Sequence, residues 1–284
     1  MVALPAAAAF LIEFSFYLVP GFNAAWLADR PELLMGSCLL PYLVYSVPTG
    51  KFLPAGLIFL CSVAALISWW YRVFPRWAAT DALFLALVAT VLLSKAFDRV
   101  YPSPIPKVPF STLGHLMLIR VCAIAVLGMR GGVAAEFRFL PTLREIRAGV
   151  MWFALMIPPV VAALWATGLW KLKAHPNAPA GVAQFFGILW VVALSEEFFF
   201  RGLLQDWLTG WLGENGTAAL LLTSVLFGSA HLWFNHGFPN WRFSIVAAIF
   251  GLFCGLCWKQ TRSVQASMVT HAIGATLYRV FFQS

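Results

Sequence analysis

The chain has 284 residues, 61% of them hydrophobic and only 11% charged, where a soluble domain carries about 25% charged residues. Its formal charge of +8 is spread over short polar stretches between apolar runs, which places it against anionic lipid head groups. Without an aromatic-basic platform or a soluble module, nucleic acid is excluded as a partner. What is left is an all-α polytopic integral membrane protein, a helical bundle of roughly eight to ten transmembrane helices.

A helix needs about 20 apolar residues to cross ~30 Å of hydrocarbon. Runs near that length recur at Leu4–Leu27, Leu33–Val47, Phe52–Phe74, Asp81–Phe97, Thr112–Gly128, Ile146–Trp170, Val182–Leu212, Thr217–Phe234, Phe243–Lys259 and Val264–Phe282. The first starts with small apolar residues from Pro5 to Phe10 and has no basic residue before it, so it reads as an uncleaved helix and not as a leader. The second is short and holds Pro41, which suits an interfacial or re-entrant element.

Residues 1–130 read as a scaffold of membrane helices, and 146–284 as the catalytic core. In the first half Glu13, His115 and Arg120 are the ionisable groups inside apolar runs; the spacing of His115 and Arg120 puts them on different helix faces. A structural role is expected for all three, with Glu13 finding a partner on a neighbouring helix or in a polar cavity. The stretch Arg130 to Arg147 is a charged connector, Pro158-Pro159 should kink the helix that follows, and His175 falls in a second, solvated connector. All five cysteines lie within apolar runs, where they act as small hydrophobic residues. Cys254-Gly-Leu-Cys257 has no flanking ligands and is read as structural. Gly251-x-x-x-Gly255 reads as a close helix-packing face.

The chemistry concentrates in the second half. Glu196 and Glu197 interrupt an apolar helix, with Arg201 four residues after Glu197. An ionised side chain at the bilayer centre costs roughly 2.5–3.5 kcal/mol, so three together need a protein interior, a wet cavity or one another. At α-helical spacing Glu197 and Arg201 lie about 40° apart and one turn along the axis, the favourable order for a pair, while Glu196 points about 100° away. Arg201 can thus hold Glu197 in place and leave Glu196 free to face a cavity. Two further apolar helices carry His231 and His271. Three spans that each deliver an acid or an imidazole are best explained by convergence on one site.

A carboxylate with two imidazoles is what activating a water molecule for hydrolysis requires. The same groups match a His-His-Glu zinc set with an open position, although the His-Glu-x-x-His signature is absent. The metal-free reading is preferred, with no cofactor and Zn²⁺ as the competing possibility.

Glu196-Glu197-x-x-x-Arg201, Phe227-x-x-x-His231 and His271, in that order on separate hydrophobic helices, resemble the three motifs of the CAAX-processing and bacteriocin-processing intramembrane protease family. The resemblance extends over roughly Ile146 to Phe282. It implies a helical protease with a cavity in the bilayer, in which Glu196 activates water with His231, Glu197 and Arg201 support it, and His271 belongs to the oxyanion side. The family's last motif usually reads His-x-x-x-Asn; this chain has Ala275 at that place, and so lacks the amide donor. Asn235, His236 and Asn240 in the connector after His231 are expected to cap or line that loop. Phe238-Pro239-Asn240-Trp241 is similar to a bacterial subgroup that accompanies C-terminal sorting systems, which would put the chain in the bacterial inner membrane.

The expected function is an intramembrane endopeptidase acting near the C-terminal tail of a membrane-anchored protein or peptide, with the lipid bilayer as its other partner. Phe198, Phe199, Phe200 and Trp233 are candidates for the cavity wall, although packing is the better reading for most of them. A transporter or proton relay built on the same cluster is the alternative, against which stands the lack of an inverted repeat. An inactive relative that binds a membrane partner is a third reading, favoured by Ala275.

Overall fold

The computed structural model describes residues 3–18, 24–106, 108–131, 140–175, 178–213, 216–234 and 237–282. Among them are twelve helices and a single isolated β-bridge, Leu172 to Phe282. The chain is all-α. It divides into two compact units, Met1–Val133 and Ala134–Ser284.

In the first unit the helices are α1 (Ala3–Leu18), α2 (Ala24–Ala28), α3 (Pro31–Ser46), α4 (Pro54–Val73), α5 (Ala78–Leu93), α6 (Ala96–Val100) and α7 (Ser111–Arg130). The run expected as one span from Leu4 to Leu27 is represented by α1 and the short α2; residues 19–23 between them lie outside the described set. The run Asp81–Phe97 is broken where Lys95 takes a left-handed conformation, φ 53°. At 16 residues, α3 is ~24 Å long, short of the hydrocarbon core, and it continues through Pro41.

Largely buried, α7 is the centre of this unit. Its Arg120 meets Glu13 of α1 in a two-pronged pair, Nε to Oε1 at 2.7 Å and Nη2 to Oε2 at 3.1 Å, and donates through Nη1 to Ser37 Oγ of α3 at 2.7 Å. Both side chains are fully buried. A charge in an apolar interior persists only when paired and hydrogen-bonded, so this bond ties three helices together. His115 is engaged locally, Nδ1 to the Ser111 carbonyl at 2.8 Å.

The second unit holds α8 (Leu143–Ala166), α9 (Pro179–Trp211), α10 (Gly216–Ala230), α11 (Trp241–Thr261) and α12 (Val264–Phe281). The start of α8 falls inside the expected connector because Thr142 and Glu145 form a capping box: each side chain receives the other's backbone N–H. Glu145 Oε1 also accepts from Ser263 Oγ at 2.6 Å, and Ser263 caps α12. The two helices therefore begin from one buried knot. They cross closely at Gly149, whose missing side chain leaves room for Val269, and Thr270 Oγ1 donates to the Gly149 carbonyl at 3.0 Å. Pro158 and Pro159 lie inside α8, which stays helical through both. His175 is exposed in its connector, and Cys254 and Cys257 are free and buried in α11.

Among the described residues five helices are long and apolar enough to cross a membrane, namely α4, α7, α8, α9 and α11, and the shorter apolar helices are Ala3–Tyr17, Ala78–Leu93 and Gly216–Ala230. The chain is a multi-pass integral membrane protein. Val150, Leu155 and Trp165 on α8 stand exposed, a cost in water and none in lipid.

Candidate active site

The helix carrying the paired glutamates is not a uniform α-helix. In α9, Ile188–Ala193 and Phe198–Gln205 are π-helical and flank a single α-turn, Leu194–Glu197. Wider π turns redirect side chains and recur at functional sites; here they bracket Glu196 and Glu197. Glu197 is fully buried, whereas the Glu196 side chain keeps 29% of its surface.

Buried Glu197 is held from two sides. Arg201 Nε stands 3.2 Å from its Oε2, and His271 Nδ1 bonds its Oε1 at 2.7 Å. The guanidinium is fixed in turn by Nη2 donating to the Gly251 carbonyl at 2.6 Å and by the Phe227 ring 4.7 Å away. The Glu197–Arg201 pair expected from sequence is present, and Glu197 also bonds His271.

Glu196 faces the other way. Its Oε2 lies 3.9 Å from His231 Nε2 and 3.9 Å from His271 Nε2, with no hydrogen-bond partner among the described residues. The two imidazoles come from the end of α10 and from α12. His231 Nδ1 sits 2.8 Å from the Phe227 carbonyl, which can only accept, so Nδ1 carries the proton and the neutral ring's Nε2 presents a lone pair. His271 has the same orientation, since its Nδ1 faces the Glu197 carboxylate. Both rings thus turn their Nε2 towards the same carboxylate oxygen. A separation of 3.9 Å is too long for a hydrogen bond and suits one bridging water.

These groups open on a cavity of about 470 Å³ lined by α8 to α12 and by the extended segment after α8. Its wall includes Phe153, Phe227, Phe234, Phe243 and Phe250 together with Gly274 and Ala275. Phe198 and Phe199 are buried in packing, and Trp233 is exposed and stacked on Phe238. The aromatic wall is thus supplied largely by other helices than the one that carries the glutamates. Asn240 caps α11 by accepting from Phe243 N at 3.2 Å, as expected of the connector; Asn235 and His236 lie outside the described residues.

Residues 178–277 match the family model of the Rce1-like type II CAAX prenyl endopeptidases. The chain carries an Rce1-like domain there, in agreement with the family read from the three motifs. No curated protein and no solved structure matches the chain. The matched segment runs from α9 to α12 and contains Glu196, Glu197, Arg201, His231 and His271.

Two neighbours of this cluster were not read from sequence. Gly251, taken for a packing residue, also supplies the carbonyl that anchors Arg201, and a Cβ at this position would meet Phe227 at 2.9 Å and Arg201 Nη2 at 3.1 Å. Gly251→Ala is expected to cost about 1–3 kcal/mol through overpacking and to displace the guanidinium. A lowered thermal midpoint in detergent checks this, and an unchanged one contradicts it. The second is Cys254, which with Glu197 and His271 forms a group of potential metal ligands lying within 4.8 Å of one another. That trio does not fit a resident cation, because Glu197 is already occupied by His271 and by the Arg201 guanidinium, whose charge opposes one.

Proposed function

We propose that this protein is a membrane endopeptidase of the CAAX type, hydrolysing a peptide bond near the C-terminal tail of a membrane-anchored protein or peptide with water activated by Glu196 and His231. The observation that carries this reading is the Glu196 oxygen held 3.9 Å from two imidazole Nε2 atoms at the wall of an apolar cavity.

A water bridging these atoms gives up a proton to Glu196 as its oxygen bonds to the scissile carbonyl carbon. His271, oriented by Glu197 and Arg201, fixes the water's position. Collapse of the tetrahedral intermediate breaks the C–N bond, and the leaving amine takes the proton back from Glu196, directly or through His231. Ala275 lines the cavity and offers no amide to the oxyanion. The apolar wall suits a substrate anchored by a lipid or by a hydrophobic helix.

A second reading rests on the same geometry. Three acceptors converge, and a water has two protons to donate, so the third acceptor needs either a proton on one imidazole or a cation. The donor set of Glu196 with the Nε2 atoms of His231 and His271 fits Zn²⁺, each ring already giving its Nδ1 proton to an outer partner. Bound there, zinc would supply a more acidic water and polarise the carbonyl.

The test is cleavage of lipid-anchored peptides by the purified chain in nanodiscs, read by mass spectrometry for the parent and for His231→Ala. Product from the parent and a loss of about 10²-fold or more in the variant are expected; equal product from both would sink the mechanism. A tight chelator is expected to leave turnover unchanged, and loss restored by Zn²⁺ would favour the second reading.

A further inference from the structure

Hydrolysis at Glu196 builds negative charge on the scissile carbonyl oxygen, and that charge needs a hydrogen-bond donor. The three groups already placed there supply none. Glu196 accepts the water's proton, and His231 and His271 each turn an Nε2 lone pair into the site, their Nδ1 atoms facing the Phe227 carbonyl and the Glu197 carboxylate. Among the described residues lining the cavity, the remaining polar side chains are Trp170, Tyr278 and Arg279, and Tyr278 carries the single hydroxyl.

Helix geometry selects among them. Tyr278 is seven positions after His271 on α12 (278 − 271), two turns on and only about 20° round, so both side chains leave one face of the helix. Ala275 stands between them and also lines the wall. Helical side chains lean towards the N-terminus, which points the phenol back over Ala275, about one turn of ~5 Å, towards the imidazole. A methyl group at that place leaves it room. The ring lies where this requires: its centroid is 5.6 Å from that of Phe243, which in turn is 6.0 Å from that of His231. Stacking on Phe282 at 5.5 Å and packing against the Ala163, Leu164 and Val246 cluster hold it there. Arg279 is about 80° round from His271, and Trp170 packs edge-on against Phe282, a turn beyond Tyr278.

We propose that Tyr278 is a catalytic residue whose hydroxyl donates a hydrogen bond to the oxyanion formed during hydrolysis. As the water oxygen bonds to the carbonyl carbon and Glu196 takes its proton, the π pair of the C=O bond moves onto oxygen. The phenol O–H stabilises that oxygen and keeps its own proton. The pair returns when the C–N bond breaks and the amine leaves with the proton from Glu196. For packing alone phenylalanine would serve, as it does along most of this wall; the hydroxyl is what Tyr278 adds. The assignment rests on the hydrolytic reading for its consequence, but recognition of a tetrahedral anion can be measured apart from turnover.

The experiment uses the full chain in phosphatidylcholine nanodiscs, a fluorescent, N-terminally palmitoylated peptide, and its phosphinate counterpart, an uncleavable anion of tetrahedral shape. Cleavage is followed by mass spectrometry and phosphinate binding by anisotropy. Tyr278→Phe is expected to lower kcat about 10²-fold with KM and the thermal midpoint unchanged, and to weaken phosphinate binding by a similar factor. Ala275→Asn in that background should recover about 10-fold or more, because it presents an amide donor from the neighbouring turn. A kcat within a few-fold of the parent, a loss that falls on KM or on the midpoint, or a phosphinate affinity indifferent to the substitution overturns the proposal; so does a loss that Ala275→Asn leaves untouched. Phosphinate binding that depends on Tyr278 in a parent that cleaves nothing would uphold the donor and refute the protease reading instead.

Discussion

Glu196→Gln is expected to reduce kcat by about 10²–10⁴ while leaving the fold intact. The amide is nearly isosteric, and the side chain it replaces is partly exposed, with an Oε2 that bonds no described group, so little stability is at stake. What disappears is the base. Gln cannot take the proton of the bridging water, and its NH₂ would donate where the two Nε2 lone pairs already compete for hydrogens. Single-turnover cleavage of an anchored peptide measures the loss, and the thermal midpoint in detergent serves as the control. Turnover within a few-fold of the parent would show that another group accepts the proton.

Glu197→Ala should act in the opposite manner, on stability first. It removes the carboxylate that faces both Arg201 and His271 and leaves a fully buried guanidinium with the Gly251 carbonyl and the Phe227 ring for company. Breaking one partner of a buried pair costs about 3–5 kcal/mol. A large drop in thermal midpoint is therefore expected, with activity lost even below the new midpoint because His271 has lost the bond that orients it. Glu197→Gln, which keeps an oxygen for the His271 Nδ1 proton, should lie between. An unchanged midpoint for Glu197→Ala would mean that the pair is not formed in the membrane.

These contrasting outcomes for adjacent glutamates illustrate how far the residues could be read without coordinates. Helical periodicity separates Glu196 from Glu197 and pairs the latter with Arg201, because neighbours one turn apart are decided by the local backbone. Polar groups set in apolar runs single out His231 and His271, because each would be costly in lipid unless it met another. The wall of the cavity was not legible in the same way: Phe198 and Phe199 pack inward, while Phe243 and Phe250 of α11 line the space. A run of aromatics says that surface must be covered and is silent on which neighbour covers it.

By its composition and period alone the chain is committed to apolar helices in a bilayer, to a unit rich in buried polar groups after a plainer one, and to the glutamate-arginine pair, since these follow from local spacing and from the cost of charge in lipid. The tertiary structure decided the rest. The bond from His271 to Glu197 spans 74 positions, and the anchor of Arg201 on Gly251 spans 50. It also decided which ring nitrogen of each histidine is left to face Glu196, because a tautomer is chosen by the partner of the other nitrogen and here that partner is either a carbonyl one turn away or a carboxylate from another helix. Contacts of that range come from how helices pack, and no local period encodes them.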